Sequence, residues 1–245
     1  MIEQDGLAEG VRVRIANSEI IAQDDDDGSA VPSYLRIHYW WAYVHPRAVK
    51  FFERQWLVNL ILWGHYRTLR DAALAALGAA LPGRTLQVAC VYGDLTENIG
   101  RRVAAGDGLL DVVDVLPVQL ANLRRKLPAD IPARLLPMDS SRLSLPDASY
   151  DRVLLFFLLH EQPRDTRTRT LAEAFRVVKP GGTVVIIDYA KPHWWHPLRV
   201  WLPLLGRIEP YAPDLWTAEI PLPAGTVVER GSFFGGLYQK LVVRR

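Results

Sequence analysis

The sequence predicts an α/β fold built on a doubly wound, mostly parallel sheet, and three observations carry that prediction. Between residues 84 and 190, short apolar runs alternate with helical stretches. The runs are almost continuously apolar, as strands buried on both faces are. All eight tryptophans lie outside residues 64–193, so the sheet core holds none of them.

The elements follow in order. Residues 1–31 contain the acidic run Asp24–Asp27 followed by Gly28 and Ser29, and like-charge blocks of this kind are solvated, so the stretch reads as a disordered tail. From Tyr34 to Arg70 the pattern is helical and rich in aromatics, broken near Pro46 into two short helices. An alanine and leucine helix over 71–81 ends at Pro82-Gly83. Residues 32–82 therefore read as a helical aromatic lid or membrane-facing segment, and 83–245 as the sheet domain. In that domain TLQVACV (85–91) is a buried strand, LTENIGRRVAA a helix, LLDVVDV (109–115) a second strand, and PVQLANLRRKL a helix opened by Pro117. A short strand near ARLLPMD, a long apolar strand over 150–159, a helix over 165–178 and a strand over 183–189 come next. The end, TVVERGSFFGGLYQKLVVRR, pairs two antiparallel strands around Gly235-Gly236.

Composition excludes several function classes. A chain of 245 residues with a formal net charge of +2 presents no strong field for nucleic acid. One cysteine, Cys90, rules out an internal disulfide framework and suits a reducing cytoplasm, and the N-terminal stretch lacks the basic-then-apolar build of a secretion signal. The run WLVNLILW (56–63) is too short to span a bilayer but long enough to lie on one. Tyrosine and tryptophan interleaved with histidine, arginine and lysine over 34–63 suit core packing, a lid over a lipid-like substrate, or a membrane interface; lid plus membrane contact is the expectation.

Ligands of such sheets sit beyond the carboxyl ends of the strands. After the first strand come Gly93 and Asp94, the latter placed as a helix N-cap with Glu97 three residues on, the pattern of a capping box. Asp114 ends the second strand, 21 residues after Gly93, where an acid accepts hydrogen bonds from a ribose; the plain alternative is a strand-end acid. Asp139 before Ser140-Ser141 suits an adenine amino contact or the cap of a local turn. His160-Glu161 follows directly on an apolar strand, placing two ionisable groups at the mouth of the sheet, where proton transfer or a metal is useful; the alternative is a histidine bonded to backbone beside a solvated glutamate. Asp188 ends another strand, and His193 and His196 stand beyond it between prolines, joining a metal set only if that loop folds back.

From about residue 84 onward the chain resembles class I methyltransferases that use S-adenosylmethionine, whose sheet has seven strands. LQVACVYGDLT is most similar to the loop of quinone-ring C-methyltransferases, typically L-D-L-A-G-G-T-G-D-L-T, and MDSSRLSLPDASYDRVLL and AFRVVKPGGTVVIID resemble their later motifs. Gln87 stands for the family's acid, Cys90 and Val91 for glycines and Tyr92 for a threonine. That departure, with YWWAYVHP, VYGD, DVLPVQL and LLFFLLHEQP, resembles the rhodoquinone-biosynthesis proteins. The resemblance implies conversion of ubiquinone to rhodoquinone, an amino group replacing a ring methoxy group, with S-adenosylmethionine as amino donor and Mn²⁺ assisting. The alternatives are a conventional quinone methyltransferase and a non-catalytic lipid- or partner-binding protein of the same fold. Cofactor-binding candidates are Gln87, Ala89, Val91, Gly93, Asp114, Val115, Asp139 and Ser140; catalytic candidates are His160, Glu161 and Tyr92; metal candidates are His160, Glu161 and Asp188. The expected setting is cytoplasmic, peripheral to the inner membrane. Val91 and Tyr92 are expected to resist the positive φ of the glycines they replace and so to reposition the cofactor.

Overall fold

The computed structural model describes residues 14–15, 18–19, 32, 34–35, 54–217 and 219–245. In the N-terminal tail, Arg14–Ile15 (β1) and Ser18–Glu19 (β2) pair as a short antiparallel ladder, and the acidic run lies outside the described residues, as does the aromatic stretch 36–53. Two helices follow, α1 (Gln55–Ile61) and α2 (Tyr66–Leu77). Helix α2 ends at Gly78, whose φ of +118° is left-handed, four residues before the Pro82-Gly83 stop that the sequence suggests.

The sheet domain runs β3 (Arg84–Val88), α3 (Leu95–Ala105), β4 (Leu109–Asp114), α4 (Pro117–Lys126), β5 (Ala133–Pro137), β6 (Tyr150–Phe156), α5 (Arg164–Val177), β7 (Val178–Tyr189), α6 (Leu202–Ile208), α7 (Ala212–Thr217), β8 (Val227–Phe233) and β9 (Tyr238–Arg244). Its seven strands lie in the order β5-β4-β3-β6-β7-β9-β8. The first five are parallel and the last two antiparallel, so the doubly wound, mostly parallel sheet with a closing hairpin is present as predicted.

Burial explains the apolar runs. Leu86, Val112, Leu154 and Ile186 sit on four adjacent strands with no exposed surface, each stabilised by roughly 1.5–3 kcal/mol relative to an exposed side chain. Helix α3 buries Leu95, Ile99 and Val103 at helical spacing, and Gly100 lies so close to Ile131 that a Cβ there would overlap it. Asp111 on β4 is a carboxylate buried among these apolar side chains. Burial alone would raise its pKa, but hydrogen bonds from Arg134, Tyr150 and Arg84 hold the carboxyl below its usual range. Strand order reverses between β4 and β6 on either side of β3, which opens a crevice beyond their carboxyl ends.

Candidate active site

That crevice is a cleft of about 430 Å³. Its floor is the loop after β3, one wall comes from the ends of β4 and β5, another from the turn after β6, and α1 with Tyr34 and Leu35 covers it.

The loop is built differently from the expectation. Positive φ falls on Ala89 (+72°) and Gly93 (+88°), while Val91 and Tyr92 keep ordinary backbone angles and escape the predicted strain. Ala89 therefore ends β3 three residues early, its N–H donating to the Val113 carbonyl (2.8 Å) and its own carbonyl accepting from Gln87 Nε2 (2.9 Å). Gln87 is fully buried and does not line the cleft, so it shapes the loop from behind. Gly93 does not line it either: a Cβ there would collide with the Tyr66 hydroxyl. Those two cofactor candidates act through loop geometry.

Tyr66 explains the second departure. Its hydroxyl accepts from the N–H groups of Asp94 (2.9 Å) and Leu95 (3.1 Å) and donates to Asp94 Oδ1 (3.0 Å). Arg70 donates to Asp94 Oδ2 at 2.6 Å. The capping box does not form: Asp94 faces α2, and Glu97 pairs with Arg101 along the helix. On the other side, Lys126 Nζ donates to the carbonyls of Gly93 (2.8 Å) and Val91 (3.2 Å), and Gln119 Nε2 donates to the Tyr92 hydroxyl (2.9 Å).

Among the cofactor candidates, Ala89, Val91, Asp114, Val115, Asp139 and Ser140 all line the cleft. Asp114 accepts from the N–H groups of Cys90 (2.7 Å) and Leu116 (2.8 Å), one on each oxygen. Burial pushes its carboxyl up to about 6 against those two bonds. The Cys90 thiol adds a third bond, and a carboxylate has lone-pair capacity for about four, so room remains for a ribose hydroxyl. Asp139 Oδ1 caps the local turn by accepting from Ser141 N–H at 2.7 Å, and Ser140 Oγ joins Gln162 Nε2 (2.9 Å) and Thr170 Oγ1 (3.0 Å). With the apolar flanks of Leu116 and Met138 in the same lining, these residues fit a nucleoside cofactor.

Beyond β6, Phe157 turns at φ +52° and ends the strand three residues sooner than its apolar run suggests. The turn that follows carries His160 and Glu161 into the cleft lining. His160 Nδ1 lies 2.8 Å from Asp188 Oδ1, and its ring packs edge-on against Tyr189 and Phe157. Burial opposes the charged imidazolium, but the Asp188 carboxylate overrides it and lifts the pKa to about 9.

The metal expectation is not met. Among the described residues no cluster of three or more histidine, cysteine or carboxylate side chains could hold an ion. Asp188 spends its oxygens on His160 and on the N–H groups of Leu159 and Tyr189, while Glu161 Oε1 stands 3.9 Å from His160 Nε2. His196 is buried with Nδ1 accepting from Leu198 N–H, and His193 stacks on Trp195, so this pair does not join them. The residues present do not fit Mn²⁺.

Sequence reasoning missed Tyr66, Arg70, Gln119, Lys126, Phe157 and Gln162. The first four act on the loop from 24 to 35 residues away, and no local pattern announces such contacts. Phe157 hid inside its strand's apolar run; only its place beside His160 marks it.

The methyltransferase domain family matches residues 85–182. The demethylmenaquinone methyltransferase of Deinococcus radiodurans is 34% identical over 140 residues, 56% of each chain, so the match spans little more than half of that relative. A ubiquinone/menaquinone biosynthesis C-methyltransferase of Ralstonia nicotianae is 31% identical over 144 residues, 58% of this chain and 57% of that one. Among solved structures, a SAM-dependent methyltransferase from Aquifex aeolicus superposes with a TM-score of 0.52 at 18% identity, over 81% of this chain and 97% of that one.

Proposed function

We propose, from a chain whose sheet has the class I methyltransferase fold and whose residues 85–182 match a methyltransferase domain, that this protein is an S-adenosylmethionine-dependent transferase acting on a lipid quinone. The observation that carries the reading is the make-up of the cleft. A polar end at Asp114 and Asp139 meets, at His160, an aromatic and apolar end formed by Phe157, Tyr189, Leu60 and Trp63. A nucleoside suits the first and a substituted ring with an isoprenoid tail the second.

Within that class we read the transferred group as the amino group, so that ubiquinone becomes rhodoquinone. S-adenosylmethionine would supply the amine. Lys126 places an ammonium on the loop carbonyls of Val91 and Gly93, and neutral Gln87 stands behind Ala89 where a carboxylate would favour a charged amine. Both features favour the neutral, nucleophilic form of an amine held at this loop. In the substitution a C–N bond forms at the ring carbon that bears the methoxy group, the C–O bond breaks, and methanol leaves with the amine's proton, giving a quinone whose nitrogen still carries the donor's carbon skeleton. Loss of the donor's Cα proton then makes a C=N bond while the ring takes up the electron pair as hydroquinone, and water hydrolyses that bond, releasing the aminohydroquinone and the skeleton as a 2-oxo acid. His160, kept as imidazolium by Asp188, donates from Nε2 to the quinone carbonyl and stabilises the oxyanion that develops there. Glu161, in the same lining, takes the amine proton and passes it to the departing methoxide.

The second reading is conventional ring methylation, favoured by the names of the two quinone-methyltransferase relatives. The loop tests the choice. The triple substitution Gln87→Asp, Val91→Gly, Tyr92→Thr is expected to lower amination of ubiquinone about tenfold or more and to release S-adenosylhomocysteine instead. Undiminished amination in that variant would contradict the role given to the loop.

A further inference from the structure

We infer that the outer face of α1 and the turn 193–204 form one docking surface for an anionic lipid bilayer, set around the mouth of the cleft. Four large apolar side chains of the first segment stand exposed, among them Leu60 at 64% and Trp63 at 43%. The second exposes Trp194 at 85%, with Trp195, Val200 and Trp201 beside it. Exposed tryptophans in such number are uncommon on a surface that faces only water.

The two segments lie about 130 residues apart in sequence, yet a run of ring contacts joins them. His65, its Nδ1 2.8 Å from the Trp63 carbonyl oxygen, stacks on Phe234 at 4.1 Å between centroids. Phe234 packs edge-on against His196 at 4.8 Å, and His196 stacks on Trp195. The hairpin turn between β8 and β9 thus ties the two tryptophan groups into one surface. Leu60, Ile61 and Trp63 belong to this surface and to the cleft lining at once, so the surface is also the rim of the site.

Charge selects the occupant. Neither 54–70 nor 189–208 contains a single aspartate or glutamate, while Arg54, Arg67, Lys191, Arg199 and Arg207 are exposed along them. Tryptophan with flanking cations and no acids matches the headgroup level of a membrane that carries anionic lipid. Among the described residues no helix is long and apolar enough to cross a membrane, so the contact is one of lying on the surface. A substrate with an isoprenoid tail would enter the cleft from the bilayer without crossing water; this consequence rests on the lipid-quinone reading, whereas the surface itself does not.

The test is flotation of the full chain with vesicles of phosphatidylcholine and phosphatidylglycerol, and with phosphatidylcholine alone, no quinone being present. The wild type is expected to float with the anionic vesicles and to be released by high salt. Trp194→Ser with Trp201→Ser, and separately Trp56→Ser, are expected to float about tenfold less with thermal melting unchanged, because these rings are exposed and do not line the cleft. A wild type that stays at the bottom of the gradient overturns the inference, and so do variants that float as well as the parent. A wild-type dimer that the same substitutions dissociate, with no vesicle binding, assigns the surface to a second copy of the chain and overturns it too. Because no turnover is read, none of these results depends on which group the enzyme transfers.

Discussion

His160 and Asp188 form a buried pair whose chemistry is set by one hydrogen bond. The folded imidazolium titrates near 9 against an ordinary value of 6.5, so its contribution to stability is complete below 6.5 and is lost as the pH rises through 9. Asp188→Asn removes the charge and leaves burial to dominate. The histidine, followed by NMR titration, is then expected to titrate below 6.5, with stability reduced by roughly 2–4 kcal/mol at neutral pH. A titration still near 9 would show that Asp188 is not the cause. Asp114 moves the opposite way in consequence. Burial raises its folded pKa from 3.8 to about 6, so ionisation opposes folding increasingly across that interval and the carboxylate is complete only above it. Affinity for S-adenosylmethionine, measured by calorimetry, is expected to fall as the pH drops through 6, and Asp114→Asn is expected to weaken binding and flatten that dependence. A profile unchanged by the substitution would remove Asp114 from the ribose role.

The loop between β3 and α3 is held by its neighbours more than by its own sequence. Tyr66 on α2 fills the space above Gly93 and accepts the N–H groups of the N-cap Asp94 and of Leu95, the first residue of α3, whose own N-cap side chain makes no capping bond. Tyr66→Phe leaves those N–H groups without that acceptor and is expected to destabilise the protein by about 1–3 kcal/mol in thermal or urea unfolding. Gly93→Ala, which forces a side chain into a φ of +88° and into the tyrosine, is expected to be worse. Equal stability of Tyr66→Phe and the parent would show that water replaces the cap. At this scale the sequence was readable where structure is local: the apolar runs and helical periodicities located β3 to β9 and α3 to α5 to within a few residues. It failed where contacts are distant. The Asp94 and Glu97 spacing suggested a capping box because nothing local reveals that Asp94 is taken by Tyr66 and Arg70. Ala89 and Phe157 ended their strands early because each adopts a positive φ that neither residue type advertises.

Across the whole molecule, the doubly wound sheet brings the ends of β3, β4 and β6 to one crevice, and the helices before it supply the cover. This placement follows from strand order, so the polar residues at the strand ends, Asp114, Asp139 and the His160-Glu161 pair, were legible as one site before any geometry was known. The lysine and tyrosine that hold the loop were not, because α2 and α4 meet it only through the fold. The amino-transfer reading proposed above has the loop between β3 and α3 direct an amine, and not a methyl group, onto a quinone ring. It is tested most directly by incubating the purified protein with ubiquinone and S-adenosylmethionine labelled with ¹⁵N at the amine and ¹³C at the methyl group. Mass spectrometry of the extracted quinone is expected to show ¹⁵N in the ring substituent and no ¹³C. A quinone carrying ¹³C without ¹⁵N would contradict amino transfer and identify a conventional methyltransferase.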